Sequence, residues 1–227
     1  FENLMELLNL AEVPERIECF DVSHTMGEAT VASCVVFDHG GPLKTDYRRF
    51  NIKDVKAGDD YAATEQALRR RYSRLKSEEA VLPDVLVIDG GSGQIKRAEK
   101  VLDELQLQQI VILGIAKGPD RKAGLEKYVY GGFDLDLGDY ASASQLLQHI
   151  RDEAHRFAIA GHRNQRQRAR TMSELESIDG VGPKRRRQLL THFGSLAGVK
   201  GASEQEIAKV DGISHAIARE IYQTLHH

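Results

Sequence analysis

The first 160 positions alternate between short apolar runs and stretches with helical periodicity, which predicts a mixed α/β sheet. Three strand-like segments rich in β-branched and aromatic residues come first, at positions 16–23, 30–38 and 45–52. The turn-forming sequence Asp-His-Gly-Gly-Pro at 38–42 separates the second from the third. Connections this short predict an antiparallel meander.

Helices and buried strands follow this meander. A helix that begins at Asp59 or Asp60 is followed by a near-continuous apolar strand at 83–89, a pattern typical of strands covered on both faces. A helix near 94–105, a second buried strand at 110–116 and a long helix at 144–160 complete the pattern. This order of elements is that of the ribonuclease H-like fold, with helices flanking a mixed sheet.

After position 160 the pattern changes to that of a small all-α domain. Residues 161–173 contain four arginines and no apolar periodicity, which predicts a basic linker. Ile-Asp-Gly-Val-Gly at 178–182 corresponds to Val-Asp-Gly-Ile-Ser at 210–214, and a helical run follows each copy. The sequence therefore predicts a sheet domain at 1–160, a linker at 161–173 and a tandem helical domain at 174–227.

The two repeated turns have features of a phosphate-binding site. Gly180 and Gly182 can take positive φ and allow another backbone to approach closely. Amides of the helix that starts at Pro183 point outward at its positive end. The pattern resembles the helix-hairpin-helix motif, which contacts the DNA backbone without reading sequence. Candidate DNA contacts are Gly180, Val181, Gly182, Lys184, Arg185, Arg186, Gly212, Ile213 and Ser214. Because Ser214 replaces the second glycine, we expect the second copy to bind phosphate more weakly.

Charge is distributed unevenly between these parts. The formal net charge is −3, yet residues 161–227 hold 11 Lys and Arg against 7 Asp and Glu. A basic module beside an acidic larger module suits a nucleic-acid-binding unit attached to a metal-binding body. Cys19 and Cys34 lie in strand-like runs, and we expect reduced core thiols in a cytosolic protein. No apolar run approaches about 18 residues, so no membrane role is indicated.

Two aspartates on predicted buried strands are the main candidates for catalytic chemistry. Asp21 lies inside the first strand, where a carboxylate is costly unless it is paired, hydrogen-bonded or bound to a cation. Asp89 ends the apolar strand, at the edge where α/β sheets bind ligands. If the two strands are neighbours, the carboxylates meet, and Mg²⁺ or Mn²⁺ would relieve their repulsion. A capping or turn-forming role is the alternative for either residue alone.

Asp60 and His155 are further candidates. Helix capping explains only one of Asp59 and Asp60, so we expect Asp60 to face the metal. His155 falls about 120° from the middle of the apolar stripe of its helix, on the same side as Arg151, which argues against a core position. It is a candidate metal ligand or general base, and a solvated surface histidine is the alternative.

Two loops are candidates for contacts with phosphate, because one is rich in positive charge and the other in glycine. The loop at 117–124 follows a buried strand, and its Lys117, Arg121 and Lys122 suit phosphate contacts beside an acidic metal site. A solvated loop is the alternative. The sequence Gly-Gly-Ser-Gly at 90–93 lacks the Gly-Lys-Ser/Thr ending of a nucleotide-binding P-loop.

Together these motifs resemble one protein family. The segments at 20–28, 58–62, 89–91, 116–118, 121–122 and 151–157, followed by the tandem hairpins, look like the C-terminal half of the bacterial UvrC excinuclease subunit. The resemblance implies nucleotide excision repair, with incision of damaged double-stranded DNA on the 5′ side of the lesion. It also implies a divalent metal, Mg²⁺ or Mn²⁺, a cytoplasmic location, the UvrB helicase subunit as a partner and UvrA indirectly. The family's cleaving residues match Asp21, Asp60, Asp89 and His155, of which Asp21, Asp89 and His155 would hold the metal.

Two other functions fit parts of this pattern. A non-catalytic DNA-binding scaffold would use the hairpins alone, but it would have no reason to keep Asp21, Asp89 and His155. A related nuclease, such as a junction resolvase or a deaminated-base endonuclease, would share the sheet but not the tandem hairpin tail.

Overall fold

The computed structural model describes residues 1–24, 30–56, 58–116 and 127–226, without the side chains of 162–169. The chain divides into two compact units, Phe1–Gly161 and His162–His227. The domain boundaries predicted above, including the linker, stay a prediction. Across the described part of the chain, no helix is both long and apolar enough to cross a membrane.

The first unit is built on one mixed sheet. Its strands are β1 Ile17–His24, β2 Thr30–Asp38, β3 Gly41–Pro42, β4 Arg48–Asn51, β5 Val85–Asp89, β6 Val111–Ala116, β7 Lys127–Tyr130 and β8 Phe133–Leu135. Its helices are α1 Glu2–Leu8, α2 Asp60–Ser77, α3 Ser92–Glu104 and the first part of α4 Ala141–Glu176, and a 3₁₀ turn occupies Lys44–Asp46. The short hairpin of β7 and β8 was not predicted from the sequence.

Strand order in the sheet is β3-β2-β1-β5-β6-β7-β8, and β4 also pairs with β2. The central strands β1, β5 and β6 run parallel, whereas the flanking pairs are antiparallel. This confirms the predicted meander that leads into parallel strands. The ribonuclease H-like mixed sheet with flanking helices is therefore the fold of this unit.

The two faces of β1 meet different helices, because side chains alternate along a strand. On one face, the ring of Phe20 lies 6.3 Å from that of Tyr72 on α2, centroid to centroid. On the other face, Asp21 lies near His155 on α4. Both helices bury apolar residues against the sheet, including Leu68 and Leu147. The sheet is therefore covered on both sides at its centre.

Helix α4 is longer than the sequence pattern predicts. The apolar stripe ends near Phe157, but the helix continues through 161–173 to Glu176. The predicted helix end at Ala160 is therefore wrong. The 161–173 segment is rich in Arg and Gln, which have high helix propensity, so helical backbone persists there without an apolar face.

The second unit has its own small apolar core. Its further helices are α5 Pro183–Phe193, α6 Leu196–Gly201, α7 Glu204–Ile207 and α8 His215–His226. Leu189, Val199 and Ile221 are fully buried in this core. Ser203 and Glu206 form a capping box at the start of α7. This confirms the small all-α tandem domain.

A fully buried carboxylate, Glu18, stabilises the contact of β1 with α2. Arg71 donates to it from Nη2 to Oε1 at 2.7 Å and from Nε to Oε2 at 3.2 Å. Arg16 donates from Nη2 to Oε1 at 3.0 Å, and the Tyr72 hydroxyl donates to Oε2 at 3.3 Å. Because the carboxylate accepts from two guanidinium groups and a hydroxyl, its burial is compensated.

We predict that Glu18→Ala lowers the free energy of unfolding by about 3–5 kcal/mol, because it leaves Arg71 buried without its carboxylate and removes one of the two carboxylates bonded to Arg16. Glu78→Ala is the matched control: it removes an exposed pair with Arg74, and we expect a change below about 0.5 kcal/mol. Equilibrium urea denaturation of both variants measures the difference. Equal shifts of the unfolding midpoint would show that the buried cluster does not stabilise the fold.

Candidate active site

The parallel pairing of β1 with β5 brings two carboxylates together. Asp21 and Asp89 are direct partners in the register of these strands, at the edge where β5 ends. Register partners on adjacent strands project to the same face of a sheet. Both side chains are largely buried, with exposed fractions of 10% and 13%. The structure thus brings these two predicted site residues together.

The buried thiol of Cys19 lies in the field of these two carboxylates. Burial raises the pKa of Cys19 well above its usual range, and the charges of Asp89 and Asp21 raise it further. The neutral thiol is therefore strongly favoured. Cys19 and Cys34 are both buried and free, as expected of core thiols.

Asp59 and Asp60 divide their roles at the start of α2. The Asp59 side chain caps the helix by accepting from the backbone N–H of Ala62 at 3.0 Å. Asp60, half exposed, is in contact with Nε2 of His24, and Nδ1 of His24 lies 2.9 Å from the Thr30 hydroxyl oxygen. Asp60 is thus held at the end of β1, next to the two strand carboxylates. His24 was not identified as a site residue from the sequence.

Helix α4 carries His155 to the same edge of the sheet. Its Nδ1 lies 3.7 Å from Oδ2 of Asp21, and its side chain is 65% exposed. One turn earlier, Nε of Arg151 lies 3.9 Å from Oδ2 of Asp89. Ile150 and Ala154 of the same helix are fully buried, so the predicted apolar stripe faces the sheet. The sequence predicted that Arg151 lies on the same side of the helix as His155. It did not predict that Arg151 lies beside Asp89.

Contacts on both sides of His155 fix this segment of α4. The Tyr47 hydroxyl donates to Oε1 of Glu153 at 3.0 Å. Arg49 donates to the backbone carbonyl of Phe157 at 2.7 Å, and its guanidinium lies 3.6 Å above the Phe157 ring. The hydrogen bonds from Arg156 lower the pKa of Glu153, and the hydroxyl of Tyr47 acts in the same direction. The imidazole of His155 is therefore carried on an anchored turn.

A cavity of about 520 Å³ joins these residues. It is lined by all four predicted catalytic residues, by Arg151 and by Gln94, together with backbone of the Gly90-Gly91 turn. Gly91 is the N-cap of α3, and its N–H donates to Oε1 of Gln94 at 3.0 Å. A Cβ at Gly90 would stand 2.0 Å from that same oxygen, so a larger residue there would displace the Gln94 side chain. Gly90 thus makes room for Gln94 beside the cavity.

The donor set of this cavity fits a divalent cation by its chemistry. Three carboxylates and an imidazole line one space, and carboxylate oxygens are the ligands that Mg²⁺ and Mn²⁺ prefer. Within the described ranges, however, no group of three or more His, Cys, Asp or Glu side chains is arranged tightly enough to hold a metal ion. Lys117, Arg121 and Lys122 lie outside the described residues.

In the second unit, the two predicted hairpins are similar but not equivalent. Gly180 and Gly212 both have positive φ, at 77° and 74°, as the turns require. Gly182 is the N-cap of α5 and contributes no side-chain bond, whereas the Ser214 hydroxyl accepts from the N–H of Ile217 at 3.3 Å. An N–H in the first turn of the second copy is therefore already occupied, which favours weaker phosphate binding there.

Not all of the predicted DNA contacts are equally accessible. Lys184 is exposed at the start of α5. Arg186 is buried, and its Nη1 lies 3.2 Å from Oε1 of Glu176. Val181 and Ile213 are buried in the apolar core, so only their backbone is available to a phosphate.

Comparison with known proteins agrees with this architecture. Residues 5–159 match the UvrC RNase H endonuclease domain, and residues 172–226 match the SAM-like helix-hairpin-helix tandem. The chain belongs to the UvrC family. This resolves the alternative of a resolvase or a deaminated-base endonuclease in favour of UvrC.

Curated relatives of this UvrC-family chain are named UvrABC system protein C. The protein from Alkalilimnicola ehrlichii is 58% identical over 99% of this chain, and that from Pseudomonas putida is 58% identical over 100%. The relative from Xanthomonas campestris is 54% identical over 99%. The chain spans just over a third of these relatives, 37%, 38% and 37% of their lengths.

Solved structures give weaker matches. Human endonuclease V is 18% identical, with a TM-score of 0.34 and 46% of each chain covered. The endonuclease V of Ciona intestinalis is 19% identical, with a TM-score of 0.36 over 52% of this chain and 55% of that one. TM-scores this low give no information about function.

Proposed function

We propose that this UvrC-family chain is a divalent-metal-dependent DNA endonuclease, which makes the 5′ incision beside a lesion in bacterial nucleotide excision repair. The observation that supports this most is the convergence of Asp21, Asp60, Asp89 and His155 on one cavity at the edge of the sheet. Two buried carboxylates placed side by side repel each other, and a cation between them compensates that repulsion.

Asp21, Asp89 and His155 would hold the cation. The two aspartates are fixed by strand register, and His155 on α4 has its Nδ1 3.7 Å from Oδ2 of Asp21. When bound, Mg²⁺ or Mn²⁺ would supply Lewis acidity toward a phosphoryl oxygen and lower the pKa of water.

The remaining side chains suit the hydrolysis of a phosphodiester. His155 either completes the ligand set or accepts the proton of the attacking water, since a neutral imidazole can do both. Arg151 places positive charge beside Asp89, where charge builds up on the phosphate as the P–O bond breaks. Asp60, fixed at the start of α2, is positioned by His24.

The second unit would hold the DNA backbone. Exposed Lys184 and the turns at Gly180–Gly182 and Gly212–Ser214 offer charge and backbone amides to phosphates, which carry no sequence information. Lys117, Arg121 and Lys122 are proposed to contact phosphate beside the catalytic cavity. The partners we propose are damaged double-stranded DNA, the UvrB helicase subunit and, indirectly, UvrA, all in the cytoplasm.

The first prediction of this proposal concerns the paired carboxylates. Asp21→Asn and Asp89→Asn should each abolish incision and Mn²⁺ binding while leaving DNA affinity nearly unchanged, because both charges serve a cation. Incision of a lesion-bearing duplex in the reconstituted repair system and calorimetric titration with Mn²⁺ alone measure the two effects. Asp103→Asn, exposed on α3 outside the cavity, is the control and should behave as wild type. Wild-type incision by either strand variant would reject the metal site.

A second prediction concerns His155. His155→Ala should reduce incision by at least ~10²-fold, the usual contribution of an acid–base group. His149→Ala is the matched control on the same helix, since His149 packs edge-on against Phe37, 5.1 Å away between centroids, and does not line the cavity. Single-turnover incision rates compare the two variants. Retained activity in His155→Ala would assign that histidine to the solvated surface.

A third prediction concerns how the second unit binds the DNA backbone. Lys184→Met should weaken affinity equally for all sequences and make the log–log salt dependence shallower by about 0.9, the value for one lost phosphate contact. Lys200→Met removes the same charge from the same unit, but Lys200 is paired with Glu174 at 2.8 Å and should leave the slope unchanged. Affinity titrations across a salt series decide between them. An unchanged slope in Lys184→Met would mean that this hairpin does not contact phosphate.

A further inference from the structure

Corresponding positions of the two hairpin copies reach across to each other. The copies are offset by 32 residues, so Arg185, the third residue of α5, corresponds to Ile217, the third residue of α8. Nε of Arg185 donates to the carbonyl of Gly212 at 2.8 Å. In return, the Ile217 side chain lies 3.6 Å from where a Cβ of Gly180 would stand. The third residue of the helix after each glycine turn therefore faces the other copy.

Arg185 binds both glycine turns at once. Besides its bond to Gly212, its Nη1 donates to the carbonyl of Gly180 at 2.6 Å. These two glycines are the positive-φ residues of their turns. A planar guanidinium has several donors in a fixed geometry, so it can join two carbonyls in one defined arrangement.

A second bond between the copies supports this arrangement. One turn after Arg185, Nε2 of Gln188 donates to Oδ2 of Asp211 at 3.0 Å, immediately before the second glycine turn. Arg185 and Gln188 also line a cleft of about 240 Å³ with Gly182, Lys184 and Gly212. Two side chains of α5, those of Arg185 and Gln188, thus donate hydrogen bonds to the second hairpin.

We propose that Arg185 is a positioning residue, which fixes the two hairpins in one register, and not a ligand of DNA phosphate. The inference rests on the proposed DNA grip and assigns this arginine a role different from that of its neighbour Lys184. A rigid pair of turns presents both sets of backbone amides together, so binding does not have to order one turn relative to the other. The bonds from Nε to Gly212 and from Nη1 to Gly180 use two of the five N–H donors of Arg185 and fix the direction of its guanidinium toward the two turns.

The test compares Arg185→Met and Arg185→Lys with Lys184→Met in the full chain. Amide hydrogen exchange without DNA is read at Val181 and Ile213, whose N–H groups bond to the carbonyls of Ile178 and Val210 within the two turns. Both Arg185 variants should speed exchange at both amides, on the order of tenfold for loss of the two carbonyl bonds. They should also weaken DNA affinity with little change in salt slope. Arg185→Lys should restore neither slow exchange nor DNA affinity, because lysine lacks the planar guanidinium that joins the two carbonyls.

The opposite pattern would overturn the proposal. If Arg185→Met makes the salt slope shallower by about 0.9 with exchange unchanged, and Arg185→Lys restores affinity, Arg185 is a phosphate ligand. Gln188→Leu breaks only the second bridge and should speed exchange at Ile213, which provides a milder variant if Arg185→Met unfolds the unit. If Lys184→Met and the wild type bind DNA with the same affinity, the proposed binding of the DNA backbone by this unit is wrong. The exchange rates at Val181 and Ile213 still test whether Arg185 holds the two turns together.

Discussion

The pairing of β1 with β5 is the constraint on which the candidate site depends. The two strands run parallel, and their register sets Asp21, inside β1, directly beside Asp89, the last residue of β5. A shift of one residue would turn one carboxylate to the other face of the sheet. The apolar residues before each aspartate prevent that shift, because Cys19, Val87 and Ile88 are buried. Core packing therefore determines where the carboxylates of the candidate site lie.

Strand β1 also shows how one element can carry two buried carboxylates with different roles. Glu18 points to the α2 face, where Arg71 and Arg16 donate to it at hydrogen-bond distances. Asp21 points to the α4 face and lines a cavity, and its contact with His155 at 3.7 Å is longer than a hydrogen bond. A carboxylate surrounded by guanidinium groups holds helix and sheet together. One that borders an open space beside a second carboxylate suits a cation.

Sequence patterns predicted the parts of this site that follow from periodicity. Strand order placed Asp21 beside Asp89, and helical phase placed His155 on the side of α4 away from its apolar stripe. The contact of His24 with Asp60 joins residues 36 positions apart and follows from no local pattern. The length of α4 was underestimated for the opposite reason: its second half is helical by propensity and has no apolar stripe to reveal it. The assignment of Arg185 to phosphate stays a prediction, and its bonds to the carbonyls of Gly180 and Gly212 follow from no sequence pattern.

Charge distribution gives a physical reason for joining these two units in one chain. Residues 1–160 hold 20 Lys and Arg against 27 Asp and Glu, so the unit with the candidate catalytic cavity repels a polyanion on average. A cation in the cavity offsets this only locally, since screening limits its reach to about 8 Å at physiological ionic strength. Capture of DNA then has to come from elsewhere, and the basic hairpin unit can supply it through phosphates of any sequence. In the proposed function, binding without sequence preference would leave the choice of incision site to the damage and to the proposed partner proteins.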